Sequence, residues 1–289
     1  MTIGIDTELF REDTGVSSMT SLLGAILVIA WVILSKFTFD FIFYNRVRVE
    51  QEIFGKKNHS LAFSYAGFLT GLSFTLYMTF VYESFLRELF NLFFLTFFMF
   101  FGVYVFDLLF LRKIDLKEEI LKNNLSAGIV QGFYFIAIGL IISSAYWRKE
   151  SLILSVLYSS IYLFLGMVFL YISTLLISKV LSLDFQEEVK KNNLSASLVL
   201  GSLTVAVSLV IFNSLSGEFL GNIFLDIFTT LFYFLISQIL MVVLYFLFEY
   251  VIFRKVLLSA QIIENNLSAS LTLGAVFLTS AFITMVLIG

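Results

Sequence analysis

The sequence predicts an all-α polytopic membrane protein, with eight transmembrane helices arranged as four parallel helix-hairpin repeats. Three observations carry this reading. The 289 residues are 60% hydrophobic and only 13% charged, more apolar surface than a soluble domain of this size can bury. Eight apolar runs recur, each near or above the ~20 residues that a helix needs to cross the hydrocarbon. One polar motif stands at the mouth of every second run. It reads Lys122-Asn123-Asn124-Leu125-Ser126-Ala127, then Lys191-Asn192-Asn193-Leu194-Ser195-Ala196, then Glu264-Asn265-Asn266-Leu267-Ser268-Ala269, with a degenerate copy at Lys57-Asn58-His59-Ser60-Leu61-Ala62.

In chain order, residues 1–18 form a polar segment with Asp6, Glu8, Arg11, Glu12 and Asp13, the reverse of a basic signal leader. The runs follow at 19–44, 60–82, 89–111, 125–146, 151–177, 194–215, 224–253 and 267–288. β-Barrel strands would be about half this length and would alternate, so the runs read as helices. They divide the chain into two four-helix halves, 19–146 and 151–289. There is no proline to kink a helix, no cysteine, and a single histidine, His59. Disulfide and thiolate chemistry are therefore excluded, and a metal or cofactor site is not expected.

The loops after the first, third, fifth and seventh runs are long and basic. They hold Arg46, Arg48, Lys56 and Lys57; Arg112, Lys113, Lys117 and Lys122; Lys179, Lys190 and Lys191; Arg254 and Lys255. The other side has only Arg11, Arg87, Arg148 and Lys149. The positive-inside bias puts the long loops in the cytoplasm and both termini outside. All four hairpins then cross in the same sense, related by rotation about the membrane normal rather than by inversion.

The repeats align on Asn58, Asn123, Asn192 and Asn265, with Gly67, Gly132, Gly201 and Gly274 following at a constant interval. Asp115 with Glu118, and Asp184 with Glu187, have capping-box spacing. Each even-numbered helix is thus expected to start in the loop and enter the bilayer at the Asn pair. On such a helix, residues four apart share a face. One row is Asn124, Gly128, Gly132, repeated as Asn193, Ser197, Gly201 and Asn266, Ser270, Gly274; the neighbouring row is Asn123, Ala127, Gln131. Small residues at this spacing allow close helix packing in lipid. The Asn residues have two readings. They are glue between repeats, each bond worth about 0.6–2 kcal/mol, or they line a polar mouth for an ion or small solute.

The blocks from Glu119 to Gly128 (EILKNNLSAG) and from Glu188 to Ser197 (EVKKNNLSAS) resemble the signature of the YjfL-type bacterial inner-membrane proteins. A typical member is similar to one four-helix half, so the chain resembles two fused members. The resemblance implies a bacterial inner-membrane protein associated with envelope or membrane-stress maintenance, and it transfers no activity. In the first copy His59 takes the place of the second Asn and Phe63 that of the small residue.

Acids recur inside the odd helices: Asp107 and Glu249 stand at the same distance before their Asn, Leu176 replaces them in the third copy, and Asp40 joins them if Gly55-Lys56 is an insertion. An intramembrane carboxylate is by default a functional candidate. Asp40, Asp107 and Glu249, with Lys36, therefore form a candidate ion or proton path. The alternative is structural pairing: Lys36 lies one turn from Asp40, and the even helix starts lie at the depth of the other acids. Gln131 and Gln238 are isolated signals, and Glu83 with Arg87 reads as a solvated pair.

No nucleotide loop, metal cluster or nucleophile–base set occurs, so an enzyme is not expected. A net charge of −3 carries no nucleic-acid signal. The expected partners are membrane lipid and cytoplasmic proteins recruited through Glu118, Glu119, Glu187 and Glu188, with the oligomeric state open. Two functions compete: a non-conducting repeat scaffold, and an ion or solute conduit entered past the Asn pairs.

Overall fold

The computed structural model describes residues 17–79, 85–146, 151–217, 221–252 and 258–288. Almost all of the polar segment 1–18, and Glu83, Arg148, Lys149, Arg254 and Lys255, lie outside the described residues. The described chain is helical: α1 (Ser17–Tyr44), α2 (His59–Thr79), α3 (Phe85–Phe110), α4 (Leu116–Leu121), α5 (Leu125–Ala145), α6 (Leu152–Leu181), α7 (Phe185–Lys190), α8 (Leu194–Leu215), α9 (Ile223–Leu247), α10 (Leu258–Ile263) and α11 (Leu267–Ile288). Each of the eight apolar runs forms a long helix. Seven, all but α2, are long and apolar enough among the described residues to cross a membrane. α2 has the highest density of hydroxyl side chains among these helices, eight in 21 residues. Thr70, Ser73 and Thr75 return theirs to the carbonyls of Ala66, Leu69 and Gly71, which satisfies them within the helix.

The helices form two rows. α2, α5, α8 and α11 stand side by side in that order, and α3, α6 and α9 pack against the seams between them. The starts of adjacent row members lie together, because Ser60 of α2 bonds Asn124 at the head of α5. Farther along, Gly67 abuts Gly132, and Gly71 abuts Gly139. α2 and α5 therefore run parallel. The row is open, with α2 and α11 at its two ends; the expected gathering of four Asn sites about one axis gives way to a side-by-side series.

Glycine makes the row possible. A side chain at Gly67 would collide with the Gly132 backbone, and one at Gly128 with the Ser60 carbonyl. Backbones this close gain dispersion contacts that larger residues would prevent, which matters where lipid offers no hydrophobic pull between helices. The later seams are looser. Gly201 receives the Phe133 ring and Gly274 the Ser202 side chain. A cluster of Phe39, Phe43, Phe68, Phe100 and Phe135 ties α1 to α2, α3 and α5, with Phe39 and Phe68 stacked at 4.7 Å.

Candidate functional site

The Asn motif is a junction between two helices. Asp115 caps α4 by accepting from Glu118 N at 3.1 Å, and Asp184 caps α7 by accepting from Gln186 N at 3.1 Å. The aspartate half of each expected capping box thus forms. The short helix does not run on into the long one, contrary to the expectation of a continuous element. It stops at Asn123, Asn192 or Asn265, each left-handed with φ of 63°, 58° and 57°. Asn tolerates that conformation better than other residues with a side chain. The bonds Asn123 N to Ile120 O and Asn124 N to Glu119 O, both 3.0 Å, close a Schellman turn. The second Asn then starts a new helix as its N-cap, and Asn124 Oδ1 accepts from Ala127 N at 3.2 Å. The row Asn123, Ala127, Gln131 is therefore broken at its first member.

This geometry corrects the register of the first repeat. Asn58 is the N-cap of α2, accepting from Leu61 N at 2.9 Å, so it matches Asn124. The left-handed position is held by Lys57, with φ of 55°. The insertion is one residue, Gly55, absorbed in a π-helical turn over Gln51–Gly55. The closing bond, Asn58 N to Glu52 O at 3.0 Å, therefore spans one residue more than Asn124 N to Glu119 O. His59 then matches Leu125, and the small residue after the motif is Ala62. Asp40 stays aligned with Asp107.

Each cap also reaches the next repeat. Asn58 Nδ2 donates to Ile120 O at 2.9 Å, Asn124 Nδ2 to Val189 O at 3.0 Å, and Asn193 Nδ2 to Ile262 O at 2.9 Å. The first Asn of the next repeat reaches back as an acceptor: Asn123 Oδ1 accepts from Ser60 N at 3.2 Å, Asn192 Oδ1 from Ser126 N at 3.1 Å, and Asn265 Oδ1 from Ser195 N at 3.0 Å. Amides that a helix start leaves without partners are thus satisfied across each seam, and the Ile120, Val189 and Ile262 carbonyls, already bonded by Asn123 N, Asn192 N and Asn265 N, take a second donor. Glu119 and Glu188 brace the caps, accepting from Asn124 at 3.0 Å and Asn193 at 2.7 Å, while Lys122 and Lys191 hold the other carboxylate oxygen. Hydrogen bonds from Lys122 and Asn124 keep Glu119 below the usual carboxylate range. These two glutamates are thus committed within the fold; Glu118 and Glu187 are the exposed pair.

The series ends at the fourth repeat. Asn266 is exposed, and its three side-chain bonds stay in its own repeat: Nδ2 to Gln261 Oε1 at 2.8 Å, and Oδ1 from Ser268 N at 3.1 Å and from Ala269 N at 3.3 Å. Glu264 stands where the other repeats have lysine, and Gln261 donates to it at 3.1 Å. Ser197 and Ser270 are fully buried, and their hydroxyls return to Leu194 O and Asn266 O.

The acids do not come together. Asp40 pairs with Lys36 at 2.8 Å, and Lys36 also contacts Glu50. Glu249 is buried beside Tyr245 within a second π-helical turn, Phe248–Ile252. Asp107 borders a cavity of 460 Å³ with Arg112, Lys113, Asp115 and Lys117, and its Oδ1 has no hydrogen-bond partner. The fully buried Gln131 is more connected than its isolation in sequence suggested. Its Oε1 accepts from Tyr44 at 2.7 Å and from Ser64, while Gln131 Nε2 and the Tyr134 hydroxyl stay unpartnered. The signal available in sequence was Gln131's place one turn beyond Ala127, on the seam face.

Among the described residues, no group of three or more His, Asp and Glu side chains could hold a metal. No solved structure matches the chain. It is 56% identical over 266 residues to the "UPF0719 transmembrane protein" of Aquifex aeolicus (strain VF5), an alignment covering 92% of this chain and 99% of that protein. This supports the membrane assignment. Residues 13–146 and 151–288 each match the Domain of Unknown Function (DUF350), so the chain belongs to that family and carries its domain twice.

Proposed function

We propose that the protein is a non-conducting, non-enzymatic membrane scaffold of the YjfL-type kind, serving envelope maintenance in a bacterial inner membrane. In this reading eight helices cross the bilayer as four parallel hairpins, with the basic loops in the cytoplasm and both termini outside. The observation that carries the scaffold reading is the commitment of the Asn side chains. Asn58, Asn124 and Asn193 are buried and bonded across their seams. A polar mouth needs such groups turned to water. Partners would be recruited by the exposed Glu118 and Glu187. Purified protein in potassium-loaded liposomes should release ions no faster than protein-free vesicles, and Glu118→Gln with Glu187→Gln should deplete a pull-down. Rapid release would defeat this reading.

One observation favours a conduit instead. Asp107 Oδ1, Gln131 Nε2 and the Tyr134 hydroxyl lack partners, and unsatisfied buried polar atoms call for an explanation such as water or an ion. In that case flux appears and Asp107→Leu abolishes it.

A further inference from the structure

A second cavity, of 460 Å³, opens between the second and third repeats, where α3 and α6 end. Arg112 and Lys179 line it, each one turn or less from the end of a long apolar helix. Both are exposed, and among the described residues no carboxylate lies within ion-pair reach of either. The cavity's own acid, Asp184, is already engaged. Lys113 holds it at 3.2 Å, and it caps α7 through Gln186 N and Glu187 N. Burial pushes the Asp184 carboxyl up, but the Lys113 and backbone bonds outweigh it and keep the group below its usual range, ionised and neutralised. Two cations without an ion pair therefore line one concavity, Arg112 standing between it and the Asp107 cavity, with walls of Leu109 and Leu175 and Tyr171 at the border.

We propose that this cavity binds the phosphate of an anionic membrane phospholipid, held by Arg112 and Lys179, with its acyl chains along Leu109 and Leu175. Guanidinium presents a fork that matches phosphate oxygens, and ammonium adds a point charge. Basic pockets between membrane helices at the headgroup level suit such ligands. The apolar wall favours a lipid over free phosphate, because only a lipid brings hydrocarbon to it. The helix carboxyl ends would repel an anion alone, which explains why two cations are needed.

Native mass spectrometry of the full chain released from nanodiscs tests this. Retained phosphatidylglycerol should exceed retained phosphatidylcholine. Arg112→Ala with Lys179→Ala should lower the apparent affinity roughly thirtyfold, at about a factor of five for each surface cation. Arg46→Ala with Arg48→Ala removes the same charge from the first loop and should change retention little. Equal losses in the two double variants would reduce the effect to diffuse attraction and overturn the site. Absence of a preference for phosphatidylglycerol would also overturn it. Displacement of the lipid by millimolar inorganic phosphate would assign the cavity to a soluble anion instead. Arg112→Lys keeps the charge but loses the fork, so its affinity should fall between those of the unaltered protein and Arg112→Ala, with both variants folded by circular dichroism; binding undiminished in Arg112→Ala would overturn the site.

Discussion

Asn124 donates its side-chain amide to the carbonyl of Val189, 3.0 Å away in the next repeat, while its oxygen caps its own helix at Ala127 N. One residue thus serves one helix start and one helix finish. Replacing it with Leu removes a cap and a second bond to the Val189 carbonyl, which keeps its bond from Asn192 N. The expected loss is about 1.5–2.5 kcal/mol, a cap at ~1 and a hydrogen bond at ~0.5–1.5. Asn266→Leu loses a cap and an exposed bond to Gln261 but no bond across a seam, about 1 kcal/mol. Denaturant titration in detergent micelles separates them; equal losses would show that the cross-repeat bond contributes nothing.

The left-handed Asn residues make a different prediction. Asn192→Gly keeps the backbone but loses the acceptor for Ser126 N. Asn192→Val loses the acceptor and also forces a β-branched residue into positive φ. Val should be the worse by about 1–3 kcal/mol, read from thermal midpoints. A Val variant as stable as Gly would mean that the turn is not held in this conformation.

At the tightest seam, Gly128→Leu and Gly132→Leu should prevent α2 from docking on α5, since both backbones occupy the space a side chain needs. Overpacking typically costs about 1–3 kcal/mol, and here the obstacle is backbone that cannot rotate away. Gly217 meets nothing within 4 Å, so Gly217→Leu is the matched control. Folded yield and proteolytic resistance in detergent give the comparison.

Acid should loosen the second junction. The Glu119 carboxyl is held below its unfolded value by Lys122 and Asn124. Its contribution is present above the ordinary glutamate pKa of about 4.3 and is lost as pH falls through the lowered folded value. Glu119→Gln should flatten that part of the stability profile while preserving the fold, as Gln261 makes the same bond to Asn266. An unchanged acid limb in the variant would remove Glu119 from the account.

Removing Gly55 should convert the π-helical turn to an α-helical one and bring Glu52 and Asn58 to the spacing of Glu119 and Asn124. Amide exchange at Asn58 should slow or stay level; a large acceleration would show that the extra residue is needed.

The helices were legible because length and apolarity suffice to define them: the run at 125–146 is α5 almost to the residue. The motif's role in packing was legible from Gly128 and Gly132. Its local geometry was not. Periodicity treats Lys122-Asn123-Asn124-Leu125 as continuous helix, and nothing in spacing alone says that Asn123 turns left-handed. The same blindness shifted the first repeat by one, because a π-helical turn hides an inserted residue. Nor could spacing tell that Glu119 braces a cap whereas Glu118 does not. The Lys36–Asp40 pair was visible because a single turn connects its members, while Gln131's bonds to Tyr44 and Ser64 come from two other helices.

The exposed Asn266 gives the series a direction. Every seam is made by caps of one repeat reaching forward to the short helix of the next, and at the amino-terminal edge Lys57 offers no side-chain acceptor to a preceding unit. The row is therefore chemically directional: a capping asparagine lies exposed at one edge, and a lysine holds the left-handed position at the other.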